Sequence, residues 1–319
     1  YQVKLVVTSN LGCKDSITTP ITIDPKPTVD YTFANLCLND ATQFTDASTI
    51  GSGIVNTWRW DFDGLGSSTL QNPTFTFPAA GTYDVKLVSG SGVGCLDSIT
   101  KQIVINPLPT ADAGPDQDIC NTFSVLLGGS PTSSTPNVSY LWDNALTLDD
   151  NTIANPTASP SLTTRYRLTV TENTTGCFDT SSVLVRVNPI PVADFNIADT
   201  CIGNTTVFTD NSTLLSGTIT SWSWDFGDGI GSSIQQSPTY TYAGVGSYNV
   251  KLVVETAIGC NDSLTKTITV VPLPTADAGA DQIICDRDTV TIGGTPTSST
   301  AAVTFLWDNA ASLNDATLA

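Results

Sequence analysis

The chain has 319 residues, a formal charge of −18 and 40% hydrophobic residues, with 6 Trp, 8 Tyr and 11 Phe, so it has the apolar material for a core and is no disordered acidic tail. Twelve Lys and Arg against 30 Asp and Glu leave no basic stripe for phosphates, which excludes nucleic acid and an anionic membrane surface as partners. Only Glu172 and Glu255 are glutamate, and an acid content that is almost all aspartate, with abundant Thr, Ser, Val, Gly and Pro, disfavours helices and predicts an all-β chain.

Tyr1 opens in mid-pattern, with neither a start Met nor a signal peptide, and no apolar run approaches the roughly 20 residues of a membrane helix. The segment therefore reads as an interior window on a longer chain, with no membrane insertion. Four Pro-x-Pro punctuations follow: Pro25-Lys26-Pro27, Pro107-Leu108-Pro109, Pro189-Ile190-Pro191 and Pro272-Leu273-Pro274. They recur at a period of about 82 residues, too long for a solenoid unit and suited to a small independent domain. Each punctuation follows an apolar, strand-like run, such as Ile103-Val104-Ile105 or Val183-Leu184-Val185, so consecutive domains are joined by short, stiff, extended linkers. The expected divisions are 1–25 (closing strands of a truncated domain), 26–106, 107–188, 189–271 and 272–319 (a truncated domain).

Within the period the landmarks recur in register. A first cysteine stands 12 or 13 residues after the first Pro (Cys37, Cys120, Cys201, Cys285) and a second one 70 or 71 after it (Cys95, Cys177, Cys260), with Cys13 in the second slot of the opening fragment. A Trp follows the first cysteine by 22 or 23 residues (Trp60, Trp142, Trp224, Trp307), and a Tyr precedes the second by 11 or 12 (Tyr1, Tyr83, Tyr166, Tyr248). From that Tyr the pattern alternates, Tyr83, Val85 and Leu87 against Asp84 and Lys86, as a half-buried antiparallel strand does. Residues 28–105 give about seven such strands: 31–33, 42–44, 54–62, a short one near Leu70, 74–77, 83–88 and 99–105. Seven short strands in that length predict a two-sheet sandwich. The four Trp read as core aromatics. Trp58, Trp60 and Phe62, like Trp222, Trp224 and Phe226, share one strand face, for which a sugar-stacking platform is the alternative. Asp63-Gly64 and Asp228-Gly229 read as tight hairpin turns.

Trp224-Asp-Phe-Gly-Asp-Gly229, then Pro238-Thr-Tyr-Thr-Tyr242 and Gly246-Ser-Tyr-Asn-Val-Lys-Leu252, resemble the PKD domain, an Ig-like sandwich of surface and secreted proteins. Residues 26–106 share the resemblance, with Trp60-Asp-Phe-Asp-Gly64 lacking one Gly of the usual motif. The intervening domain, with Ala111-Asp-Ala-Gly-Pro-Asp-Gln117, Leu141-Trp-Asp143, Asn155-Pro-Thr-Ala-Ser-Pro160 and Thr163-Thr-Arg-Tyr166, resembles a second Ig-like type common in giant surface proteins of Bacteroidetes, and residues 273–319 begin another copy. The resemblance implies an extracellular, cell-surface shaft of a large adhesin or filament, of the kind that gliding bacteria export by the type IX secretion system.

The chemical inventory is consistent with a non-enzymatic role. There is no His, hence no imidazole base, His-based triad or His-ligated metal. The cysteines recur singly, not as CxxC pairs, which argues against zinc. No cofactor is expected, with calcium as the alternative on Asp112 and Asp116 (near Asp118) or on Asp225 and Asp228. These residues, like Asp61/Asp63 and Asp149/Asp150, otherwise read as solvated turn residues. The near-constant separation inside each domain, about 58 residues, makes Cys37–Cys95, Cys120–Cys177 and Cys201–Cys260 the natural disulfides, with Cys13 and Cys285 paired outside the segment. Such bonds imply an oxidising, extracytoplasmic compartment, and each would stabilise its domain by roughly 4 kcal/mol. Asp-Ser/Thr-aliphatic tripeptides mark Ser16, Ser98, Ser263 and Thr289. In the Bacteroidetes that the resemblance implies, such tripeptides carry O-glycans, whereas Asp179-Thr180-Ser181 departs from the motif. The expected function is a stalk segment whose partners are neighbouring domains of the same chain, surface glycans or further copies of the filament. Two alternatives stand beside it: a spacer or carbohydrate-contacting region of a secreted hydrolase, and a filament subunit assembling by donor-strand exchange.

Overall fold

The computed structural model describes residues 1–286, 288–298, 300, 302–308 and 313. Among the described residues the only helical element is a 3-10 turn at Ala145–Thr147; all other regular structure is β, and no helix is long and apolar enough to cross a membrane. The chain is an all-β tandem of Ig-like sandwiches, divided into two compact units, residues 1–186 and 187–319.

The first unit opens with an antiparallel hairpin of Gln2–Thr8 and Lys14–Pro20, in register from Gln2 opposite Pro20 to Thr8 opposite Lys14, with every residue exposed. Beyond Pro25-Lys26-Pro27 comes a sandwich of two sheets. One has three strands, in the order Tyr31–Ala34, Thr42–Asp46, Thr74–Phe75; the other has four, Ser67–Ser68, Val55–Phe62, Gly81–Ser91, Leu96–Ile105. The alternation read from the sequence sets the inner face: Val85 and Leu87 are buried, Asp84 and Lys86 exposed, and Trp60 stands opposite Leu87. The short strand expected near Leu70 is Ser67–Ser68 instead. Leu70 lies in the following loop, two-thirds exposed, where its carbonyl accepts from Trp60 Nε1 at 2.9 Å.

Trp60 is fully buried between Tyr31, whose ring centroid lies 5.0 Å away edge-on, and Phe44 at 5.5 Å. Phe62 stacks on Phe75 at 4.3 Å. Aromatics from both sheets thus fill the core with their polar edges satisfied, as when Tyr31 donates its hydroxyl to the Val85 carbonyl at 2.6 Å. Lys101 covers the edge of this core, with Nζ 2.6 Å from Asp30 and 5.0 Å from the centre of the Tyr31 ring.

Past Pro107-Leu108-Pro109 a second sandwich has a sheet in the order Gln117–Cys120, Phe178–Asn188, Thr164–Glu172, Val138–Trp142, facing the short pair Val125–Leu126 and Thr157–Ala158. Its core is mostly aliphatic around the buried Trp142 and Tyr166: Leu127, Leu168, Val170, Val183 and Val185 are all buried. Trp142 donates Nε1 to the Ile153 carbonyl at 3.1 Å, repeating the bond of Trp60.

The second unit carries a sandwich like the first. Its main sheet runs Thr200–Cys201, Asn261–Val271, Gly246–Thr256, Ile219–Asp225, Ser232–Ser233, and two small pairs, Phe195–Asn196 with Thr209–Asp210 and Thr205–Val207 with Thr239–Thr241, cover it. Trp224 is buried and donates to the Gln235 carbonyl at 2.9 Å; Lys266 Nζ lies 2.7 Å from Asp194 and 5.2 Å from the Phe195 ring centre, as Lys101 does with Asp30 and Tyr31. The extra Gly of Trp224-Asp-Phe-Gly-Asp-Gly229 changes the turn. Phe62 N bonds the Gly66 carbonyl, with Asp63 and Gly64 both at positive φ as a type I′ turn requires, whereas Phe226 N reaches one residue further, to Gly231. In that longer turn Gly227 and Gly229, not Asp228, take positive φ, and a Cβ at Gly227 would sit 2.4 Å from the Asn249 carbonyl oxygen.

Candidate functional site: a disulfide across a domain junction

All four second-slot cysteines occupy the same kind of place, the tip of a strand-to-strand hairpin, directly after a glycine at positive φ: Gly12 (82°), Gly94 (87°), Gly176 (75°) and Gly259 (87°). The tip closes in one pattern. Ser91 N donates to the Cys95 carbonyl at 3.0 Å and Gly94 N to the Ser91 carbonyl at 2.9 Å; Thr256, Gly259 and Cys260 repeat this, as do Ser9, Gly12 and Cys13. At Cys177 the tip is one residue longer, and the Glu172 carboxylate caps it by accepting from Thr174 N, Thr175 N and Thr175 Oγ1 at 3.1, 2.7 and 2.8 Å. Those bonds, led by the Thr175 hydroxyl, hold the Glu172 carboxyl down at about 2.

Cys37 and Cys201, in the first slot, sit at the opposite pole. Cys37 bridges in parallel to Asn106, with Asn106 N donating to the Leu36 carbonyl at 2.7 Å and Leu38 N to the Asn106 carbonyl at 2.9 Å. Cys201 is likewise level with Val271 on a parallel strand. After each first-slot cysteine the same turn forms, its carbonyl accepting from the residue three on: Asp40, Phe123, Asn204 and Asp288.

This placement joins Cys37 of one sandwich to Cys177 of the next, with Cα atoms 5.5 Å apart across the Pro107-Leu108-Pro109 linker. Cys177 is fully buried in the contact, and an open cleft of about 570 Å³ lies beside it, lined by Leu36, Leu38, Asn106, Leu108, Thr175 and Phe178. Cys120 and Cys260 are also disulfide-bonded, while Cys13, Cys95, Cys201 and Cys285 hold free thiols.

The pairings Cys37–Cys95, Cys120–Cys177 and Cys201–Cys260 expected from the spacing are therefore incorrect, and the register gives the reason. Cys95 stands just before Leu96–Ile105 and Cys37 beside the residue just after it, so a ten-residue strand, about 33 Å long, separates them. A disulfide requires Cα atoms within roughly 7 Å. The same holds for Cys260 and Cys201, at the two ends of Asn261–Val271. Spacing does not reveal this, because a bond to the next domain adds one period and recurs as regularly as a bond within the domain. The separation of 140 between Cys37 and Cys177 is one period plus the within-domain spacing.

The remaining expected residues have local roles. Trp60, Trp142 and Trp224 are buried and Trp307 half-buried. Trp58 and Trp222 are half-buried against the cores, each donating Nε1 to an aspartate, Asp46 at 2.7 Å and Asp210 at 2.8 Å. Of the calcium candidates, Asp112 accepts from Gly114 N, Asp116 from Leu184 N and Arg186, Asp225 from Gly227 N, and Asp228 from Ile230 N, Gly231 N and the Tyr240 hydroxyl. Among the described residues no three His, Cys, Asp or Glu side chains cluster as a metal site. Ser16, Ser98, Ser263 and Thr289 are exposed, whereas Thr180 is half-buried and accepts from Arg167 at 3.3 Å.

The PKD domain family profile matches residues 24–105 and 188–272, together just over half of the chain. Among solved structures, the PKD1 domain of the Vibrio cholerae metalloprotease PrtV is 35% identical and covers 26% of this chain and 98% of its own, with a TM-score of 0.24. The PKD1 domain of Vibrio anguillarum Epp is 30% identical over 27% of this chain and 99% of its own, TM-score 0.25. An I-band fragment of titin is 15% identical over 79% of this chain and all of its own, TM-score 0.37. No curated protein matches the chain.

Proposed function

The chain belongs to the PKD domain family, and we propose that it is a non-catalytic stalk segment of an extracellular adhesin or filament anchored at a bacterial cell surface. In this reading PKD-like domains at 26–106 and 189–271 alternate with Ig-like domains of a second type at 107–188 and 272–319, after the closing strands of another PKD-like domain at 1–25. The observation that carries the proposal is the disulfide from Cys37 to Cys177, which places a covalent tie across a linker rather than inside a domain. An array that only spaces a catalytic domain from its substrate has no need of such ties, whereas an array under tension gains from them at every junction. Disulfides also agree with an extracellular or secreted location. The motifs resemble those of gliding Bacteroidetes, whose surface adhesins would be the specific setting.

The competing arrangement, a spacer in a secreted hydrolase, shares the fold and the oxidising location, so the two differ in where the chain resides. Immunogold labelling of native cells with antibody against residues 26–271 tests the choice. The stalk reading expects label along projections on the cell body. Label only in the medium, on a polypeptide that also carries a hydrolase domain, would overturn it.

A further inference from the structure

The division of the eight cysteines into bonded and free extends the rule beyond the one junction. Pairing the first-slot cysteine of each sandwich with the second-slot cysteine of the next gives a separation of 140 residues for Cys37 and Cys177, and Cys120 and Cys260 stand the same distance apart in the sequence. Under that rule Cys13 and Cys95 take partners upstream of Tyr1, and Cys201 and Cys285 take partners downstream of Ala319. Those four are the free thiols, and the other four are the disulfide-bonded ones. A within-domain rule divides them differently, since it would leave neither Cys95 nor Cys201 free.

We infer that the array carries a staggered disulfide ladder, one rung per junction, and that Cys95 and Cys201 are rung positions awaiting the flanking domains. Two further observations support this. Cys95 has the hairpin-tip geometry of Cys177, after its own positive-φ glycine, and its Sγ lies 3.8 Å from the carbonyl of Asp24, immediately before Pro25-Lys26-Pro27, so the thiol is already at a junction. Cys201 has the strand-end geometry of Cys37, on the residue pair that closes the main sheet beside the next linker. Each rung forms when two thiols give up two protons and two electrons to a disulfide-carrying oxidant, such as the exchange catalyst of an oxidising compartment, whose own disulfide is reduced to two thiols. The ladder does not depend on the adhesin reading; any extracytoplasmic array with these slots would form it.

Alkylation without reduction, followed by peptide mapping, tests the rule. In the 319-residue chain the expected linked peptides are Cys37 with Cys177 and Cys120 with Cys260, with Cys95 and Cys201 alkylated. In the natural protein Cys95 should be linked to a cysteine about 140 positions upstream and Cys201 to one about 140 downstream, and neither should be alkylated. Cys37→Ser should expose Cys177 to alkylation and leave Cys95 as it was; Cys177→Ser, reading the other side of the rung, should expose Cys37. Linked peptides joining Cys37 to Cys95 or Cys201 to Cys260, or free Cys95 and Cys201 thiols in the natural protein, would overturn the inference.

Discussion

A tie between residues 37 and 177 makes a mechanical prediction with little freedom in it. If handles are attached at Thr28 and Val187 and the segment between them is pulled to full unfolding, the oxidised chain can extend only by the residues outside the loop, about 19 of them, or roughly 60–70 Å. Reduction frees the 140-residue loop, whose ends the bond holds with Cα atoms 5.5 Å apart, and adds roughly 460–500 Å of contour. Bonds within each domain would leave about 44 residues extensible before reduction, roughly 150 Å, because the stretch between Cys95 and Cys120 would lie outside both loops. Optical-tweezer traces with and without reductant separate the two by the oxidised extension alone. An oxidised contour of about 150 Å, the length of those extensible residues at full stretch, or one that does not change on reduction, would refute the junction bond. In solution the same bond closes a long loop in the unfolded chain, and the chain-entropy account gives it roughly 5 kcal/mol of stabilisation, shared between two sandwiches.

Three further outcomes follow from the cores and surfaces. Trp60→Ala removes a fully buried indole between Tyr31 and Phe44 and should destabilise its sandwich by about 3–5 kcal/mol in urea titration, whereas Leu70→Ala, at an exposed loop position, should stay within about 0.5; equal effects would contradict the packing. Burial pushes the Tyr31 phenol from 10 up to about 12, so the folded state holds that proton more tightly: its contribution is complete below pH 10 and is lost as pH rises from about 10 to about 12. Tyr31→Phe should therefore cost about 1 kcal/mol at neutral pH and make the alkaline fall of stability shallower by about 1.4 kcal/mol per pH unit in that window; an unchanged slope would sink the argument. Glycopeptide analysis of natively sourced protein should find O-glycans on one or more of Ser16, Ser98, Ser263 and Thr289, all exposed, and none on Thr180, which is half-buried and hydrogen-bonded to Arg167; four bare sites, or sugar on Thr180, would end the idea.

What is legible in the sequence is whatever two- and three-residue patterns control. The Tyr83-Val85-Leu87 alternation fixes which face is inward, because side chains alternate across a strand, and the recurring Trp marks the core because only the interior takes so large a ring. Leu70 attracts a strand assignment that belongs to Ser67–Ser68, because an exposed leucine in a loop looks the same in sequence as one on a strand. Asp228-Gly229 looks like the twin of Asp63-Gly64, yet one added glycine lengthens the turn and puts positive φ on Gly227 and Gly229 instead of on the aspartate. The disulfides are where spacing fails most. In a periodic chain it cannot tell a bond within one repeat from a bond to the next, and only the pole that each cysteine occupies can. One clue to that pole is present: each second-slot cysteine follows a glycine, the mark of a hairpin tip a full strand length from the coming linker.

Overlap between rungs gives the ladder a property that isolated bonds lack. If Cys120 pairs with Cys260 as the rule requires, residues 120–177 lie inside two loops at once, and the shortest tether across the span from 37 to 260 uses both rungs, from Cys37 to Cys177, back along the chain to Cys120 and out to Cys260. That tether holds about 57 residues of chain, which sets its reach at full extension, whereas either rung alone leaves a tether of about 83 residues. Removing one rung then leaves a tether only about 26 residues longer, less than half of what a lost bond within a domain would release. With handles at Thr28 and Val271, the oxidised chain should extend by about 77 residues, roughly 250–280 Å, and Cys37→Ser alone should lengthen it by about 26 residues, roughly 85–95 Å. Only Cys37→Ser combined with Cys260→Ser should release the remaining stretch of about 140 residues, roughly 460–500 Å more. Independent bonds within each domain behave otherwise. The starting contour would be about 69 residues, and Cys37→Ser by itself would lengthen it by about 58, roughly 190–210 Å. A single-variant lengthening of that size would show that the rungs act one domain at a time, and the redundancy that suits an array under repeated tension would be absent.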